Sequence, residues 1–277
     1  MMLLNLLLKY IQVLNRVIDM KNIKVIIATH KEYEMPKDKM YLPLHVGAEG
    51  KNDIGYTKDN TGDNISKKNP LFCELTGLYW AWKNLDADYV GLAHYRRHFC
   101  YKKKSNNKFD NVLSLEEATS LLENTDILLP KKRKYVIETL YNHYKHTMYV
   151  EPLDETRNVI KELYPDYLDE FDKLKTRRSA HMFNMFIMKK EIFDGYCKWL
   201  FDILFELEKR VDTSKYDQFH SRFFGRISEL LLDVYLRKNN ISYKEVGFIY
   251  MEKINKVAKV IGFLKAKFGG EKYGKSF

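Results

Sequence analysis

Apolar residues recur along the chain in two spacings, short unbroken runs and stripes at every third or fourth position, and their alternation predicts an α/β protein. Unbroken runs at residues 23–28, 89–93, 126–130, 181–188 and 241–249 read as strands. The run 89–93 suits a strand covered on both faces, as in the middle of a parallel sheet. Stripes predict helices over residues 70–84, where Leu71, Leu75, Leu78, Tyr79 and Trp82 share a face, and over 115–123, 138–146, 191–210 and 219–238. Residues 152–174 carry two acidic-basic helical patterns broken near Pro165, which reads as a peripheral helical insertion. Residues 51–69 are polar and read as an ordered loop over a site.

Both ends of the chain carry amphipathic stripes. Leu3, Leu4, Leu7, Ile11, Leu14 and Ile18 form one within residues 1–19. This stretch has neither the basic start and small-residue cleavage site of a signal peptide nor the length of a membrane span, and Met20 offers an alternative start. At the other end Ile254, Val257, Ile261, Leu264 and Phe268 are flanked by lysines, a pattern that fits either a basic helix on an anionic membrane or a helix packed on the protein's own surface. The expected organisation is an extension over 1–19, one domain over 20–250 and a basic tail over 251–277.

Polar chemistry gathers where the predicted strands end. The run 89–93 leads directly into His94, Tyr95, Arg96, Arg97 and His98, and the run 23–28 into Thr29, His30 and Lys31. In open α/β sheets ligands bind beyond the carboxyl ends of the strands, and adjacent arginines there favour phosphate or carboxylate. The bland alternative is a solvated turn whose arginines pair with nearby acids. Neither GxGxxG nor GxxxxGK[ST] occurs, which argues against a Rossmann dehydrogenase or a P-loop NTPase. His143 and His146 have a metal-ligand spacing without an identifiable third ligand. Asn184 interrupts an apolar run, where a buried amide needs a partner: a ligand hydroxyl or neighbouring backbone.

Charge sharpens this picture. The 277 residues carry a net +10, and residues 252–277 supply half of it with seven Lys against two Glu. Such a balance favours anionic partners. Three scattered cysteines without metal-ligand spacing fit reduced thiols in the cytoplasm.

Six segments in order resemble a bacterial glycosyltransferase family of capsular, exopolysaccharide and O-antigen gene clusters, long catalogued only as a domain of unknown function. They are THK at 29–31, GDNIS at 62–66, CELTGLYWAWKN at 73–84, GLAHYRRHF at 91–99, DILLPKKRKY at 126–135 and FNMFIM at 183–188. The resemblance implies a GT-A-like, mostly parallel central sheet flanked by helices. It also implies hexosyl transfer from a UDP-sugar, galactofuranose in some relatives, to a lipid-linked or oligosaccharide acceptor at the inner face of the cell membrane. GT-A enzymes usually hold Mn²⁺ or Mg²⁺ on an Asp-x-Asp that follows a central strand. Here Asp86-Ala87-Asp88 precedes the strand, so a divalent cofactor is not supported, and His94, Arg96 and Arg97 are expected to neutralise the departing diphosphate instead. Glu229 is the expected base, with Thr29, His30, Lys31 and Tyr95 on the nucleotide-sugar and Asn184 on a sugar hydroxyl. Two rivals stand beside this reading: a basic nucleic-acid-binding protein, against which no binding motif occurs, and a non-catalytic membrane-associated scaffold.

Overall fold

The computed structural model describes residues 21–253, 255–269, 272 and 274. The N-terminal stripe, Ile254 and part of the basic tail therefore lie outside the described residues. Ten strands run in chain order: β1 (Ile23–Thr29), β2 (Tyr41–His45), β3 (Thr57–Lys58), β4 (Tyr89–His94), β5 (Arg97–Cys100), β6 (Ile127–Pro130), β7 (Arg133–Lys134), β8 (Ser179–Ala180), β9 (Phe186–Lys189) and β10 (Lys244–Tyr250).

Strands β3, β2, β1 and β4 lie side by side and all parallel. From β4 the sheet continues antiparallel to β9, then β6, and β6 pairs parallel with β10. Strand β10 runs antiparallel to β5, which returns to β4 through the pair His94–Arg97, so five strands close into a ring. The expectation of a mostly parallel sheet is corrected here, because antiparallel pairings are as many as parallel ones. An apolar run reports that both faces are covered, and that holds whichever way the neighbouring strand runs. The burial itself is as expected: along β1, Ile26 and Ala28 enter one core while Val25 and Ile27 enter the other. Gly91 sits where β9 crowds β4, since a Cβ there would lie 2.8 Å from the Phe186 carbonyl oxygen.

The larger core lies under helices Leu75–Asn84, Lys190–Arg210 and Phe223–Lys238. Residues 152–174 are not peripheral. Helix Glu151–Leu163 packs on helix Lys190–Arg210, and its Leu153, Val159 and Ile160, with Phe171 and Leu174, belong to the same core. The loop before helix Leu75–Asn84 is pinned by buried Asp59, which accepts hydrogen bonds from the Gly47 and Ala48 amides, Ser66 Oγ and Thr76 Oγ1 at 2.5–3.0 Å. Four bonds onto one carboxylate fix the loop's approach to the sheet.

Candidate active site

The chain visits β2 and β3 on one side of β1 and only then β4 on the other, so the strand order reverses between β1 and β4. A crevice forms beyond the carboxyl ends of two such strands. There the structure has a cleft of about 520 Å³, entered by Ala28, Thr29 and His30 from β1 and by His94, Arg96 and Arg97 from β4. Its remaining charges are Lys51, Arg133, Arg222, Arg226, Glu74 and Glu229.

The turn after β4 is tighter than an open loop. Tyr95 and Arg96 form a two-residue hairpin, and Arg97 already belongs to β5. This sorts the five consecutive polar and aromatic residues by direction. His94 and the two arginines line the cleft. Tyr95 does not; it is 3% exposed, with its ring edge-on to His30 and Tyr33. His98 points into the second core, fully buried, and neither ring nitrogen has a partner among the described residues. Burial pushes its pKa down to about 4, so it stays neutral.

The Arg96 amide donates to His94 Nδ1 at 3.4 Å. Burial first, then the charges of Arg97 and Arg96, hold the His94 pKa well below the usual histidine value. A neutral ring accepting at Nδ1 carries its proton on Nε2, which makes it a donor. Arg97 lies 4.2 Å over the Phe183 ring and 5.6 Å from that of Tyr250, and its Nε is buried without a partner among the described residues. Such a buried guanidinium is a strong anion receptor. Arg96 is more open and shares Glu252 with Lys31, at 3.8 and 3.9 Å. Lys31 thus flanks the cleft without lining it. Thr29 Oγ1 donates to the Lys31 carbonyl at 2.7 Å, which shapes the turn that carries His30.

Glu229 stands on helix Phe223–Lys238 and is 7% exposed. Burial, with the nearby Glu74 charge, raises its pKa, while Arg226, Arg97 and Arg133 oppose the rise. Asn184 is 1% exposed and lies behind the cleft. Its amide donates to Glu74 Oε1 at 2.8 Å and to the Gly225 carbonyl at 3.1 Å, and it accepts from Ser228 Oγ at 2.9 Å. The structure therefore replaces the expected sugar contact with a bracket that aims Glu74. Phe183 and Asn184 both have left-handed backbones, φ 83° and 52°, where strain costs about 1–3 kcal/mol each. The three side-chain bonds of Asn184 hold that residue there.

The opposite wall was missed by sequence reasoning. Arg222 and Arg226 are one helical turn apart, and Glu229 follows Arg226 by three, so the spacing alone places all three on one face. His143 also lines this wall. His143 and His146 turn their Nδ1 atoms onto the two oxygens of Glu138, at 2.5 and 2.8 Å, so this pair is an internal carboxylate clamp. Among the described residues no three His, Cys, Asp or Glu side chains gather as a metal site. Asp86 and Asp88 bind Asn22 at the start of β4, the far end from the cleft. The donor set therefore does not fit a divalent ion at the strand ends. Cys73 lines the cleft, but burial pushes its thiol up to about 12, too high for a thiolate nucleophile near neutral pH.

The family profile described as "Domain of unknown function (DUF4422)" matches residues 24–240. Among solved structures, that of the bifunctional glycosyltransferase WbbM in its apo form is similar with a TM-score of 0.78 and 32% sequence identity. The similarity covers 84% of this chain and 46% of that one, so the chain spans less than half the length of this neighbour. No curated protein matches.

Proposed function

The chain belongs to the DUF4422 domain family, and from that premise we propose that it is a glycosyltransferase taking a sugar from a UDP-sugar. The observation that carries this reading is the cleft itself: guanidinium and imidazole donors at the ends of β1 and β4 face a buried carboxylate across one cavity. The acceptor hydroxyl oxygen attacks the anomeric carbon and its proton passes to Glu229. The bond from that carbon to the β-phosphate oxygen breaks, and UDP leaves with the electron pair. Arg97, Arg96 and His94 Nε2–H stabilise the charge that develops on the diphosphate, a task fixed cations perform without a metal ion. Thr29 and His30, which line the cleft at the end of β1, are assigned to the nucleotide in this reading. Similarity to a solved glycosyltransferase favours this reading over a nucleic-acid-binding protein or an inert scaffold.

A transfer assay tests it. UDP release from UDP-glucose, UDP-galactose and UDP-galactofuranose, with glycosides of mixed anomers as acceptors, should identify one donor whose turnover depends on acceptor. Absence of acceptor-dependent turnover with every nucleotide-sugar, GDP- and CMP-sugars included, would contradict it.

A lipid-linked acceptor at the inner face of the cell membrane belongs to the same proposal. No helix of the described residues is long and apolar enough to cross a membrane. Helix Lys256–Phe268 instead turns Ile261, Leu264 and Phe268 outward, all three exposed. Val136 and Ile137 are also exposed, and Lys267 Nζ donates to the Ile137 carbonyl at 3.2 Å, which joins the two segments. Apolar residues framed by Lys265 and Lys267 suit an anionic bilayer. We expect co-sedimentation with vesicles containing phosphatidylglycerol and a large loss for Phe268→Glu. Equal binding of native and variant protein would remove this surface from the account.

A further inference from the structure

The cleft holds more positive charge than one donor needs. Five arginines and Lys51 line it against two carboxylates, whereas the diphosphate of a nucleotide-sugar brings only about two negative charges. The cations also divide into two groups, one on each wall of the cleft. Arg97 approaches from the β4 side, beside His94 and Arg96. Arg226 shares the helix face of Glu229 on the opposite wall, where it and Arg133 line the cleft and both act on His143.

On that second wall Tyr144 supplies an independent sign of a ligand. Its side chain is 5% exposed and lines the cleft, and its hydroxyl has no hydrogen-bond partner among the described residues. Burial raises its pKa, so the phenol keeps its proton and remains a donor, and Arg226 is the cation whose charge acts on it. A buried hydroxyl is left unpaired at a cost, and a ligand oxygen is the partner that would satisfy it. Thr147 does not compete, because its Oγ1 already donates to the His143 carbonyl at 2.7 Å.

We propose that Arg133, Arg226 and the Tyr144 hydroxyl form a second anion subsite, which takes a phosphate or carboxylate carried by the acceptor close to the hydroxyl that reacts. The proposal rests on the glycosyl-transfer reading and adds a substrate class to it. The donor's diphosphate sits on the β4 side of the cleft and the acceptor's anion on the wall that carries Glu229, so the base lies beside the acceptor hydroxyl it must deprotonate. An enzyme built this way works on a short or acidic acceptor, and the class of reaction that supplies it must leave a charged group next to the new acceptor sugar.

Three octyl ligands that differ in charge test this on the full chain: octyl glucoside, octyl glucuronide and the octyl phosphodiester of glucose 1-phosphate. Calorimetric titration should show at least one charged ligand binding about tenfold more tightly than octyl glucoside. Arg226→Gln should erase that preference, and Tyr144→Phe should reduce it about threefold, with UDP affinity kept within about twofold in both. Arg133→Gln provides the same reading should Arg226→Gln fail to fold. Which charged ligand wins identifies phosphate or carboxylate as the natural group. Equal binding of neutral and charged ligands would overturn the subsite, as would a loss of UDP affinity matching the loss of ligand, since the arginines would then serve the donor. Charge-selective ligand binding without any UDP binding would leave the subsite standing and count against the glycosyl-transfer reading.

Discussion

Arg97→Ala is expected to lower kcat/KM about 100-fold or more, a loss of roughly 2.7 kcal/mol of transition-state stabilisation. Arg97 is the cation best prepared for the leaving diphosphate. Its guanidinium is packed over Phe183, its Nε has no partner among the described residues, and burial lowers its pKa, so charge has been held out of water for a purpose. Removing the side chain also removes a buried charge, so the fold should persist, and circular dichroism together with thermal melting checks that. Arg96→Ala should cost less, about tenfold, because Arg96 is half-exposed and already shared with Glu252. A near-native rate for Arg97→Ala would remove the β4 hairpin from the chemistry.

The second large effect concerns Glu229. Glu229→Gln is expected to reduce transfer by about 10²–10⁴ while leaving UDP affinity close to native, since a general base acts on the acceptor's proton. The pH dependence follows from its burial. A base works only when ionised, and burial holds this carboxylate above its ordinary value, so the rate should fall as pH drops through that raised pKa. The stability sign is the opposite: a carboxylate whose pKa is raised by folding favours the fold while protonated and disfavours it once ionised. Glu229→Gln should therefore be at least as stable as the native chain at pH 8. His94 adds no second limb between pH 6 and 8, because its pKa is depressed and the ring is neutral throughout. A pH-rate profile of the native enzyme, matched against the variant, reads all of this. Glu229→Gln with native kcat would transfer the role of base elsewhere, Glu74 first.

Much of this site could be read in the order of residues along the chain. Strands β1 and β4 announce themselves by apolar runs that end in polar residues, and their paired burial in two cores bears out that reading. Direction is what such runs do not encode, so a mostly parallel sheet was expected, whereas β9 lies antiparallel to β4. The hairpin at Tyr95 and Arg96 was hidden for another reason. Neither residue is a turn former, and the turn is imposed by β10 pairing with β5, a contact some 150 positions away in sequence. That long-range pairing buries His98 while it delivers Arg97. Asn184 was recognisable as a buried amide needing partners, but Glu74 and Ser228, which supply them, come from distant segments. Arg222 and Arg226 were legible through helical spacing, because they share a face with Glu229; only the tertiary placement of that helix turns the face toward the cleft.

The most direct test of the central claim, that fixed cations rather than a bound metal hold the donor's diphosphate in this cleft, is thermal stabilisation by UDP in excess EDTA. A ligand at a hundredfold excess over its Kd should contribute about 2.7 kcal/mol to the folded state. The account predicts an upward shift of the melting temperature in EDTA that is unchanged by Mn²⁺ and largely lost in Arg97→Ala. A shift that appears only with Mn²⁺, or that survives intact in Arg97→Ala, would contradict it.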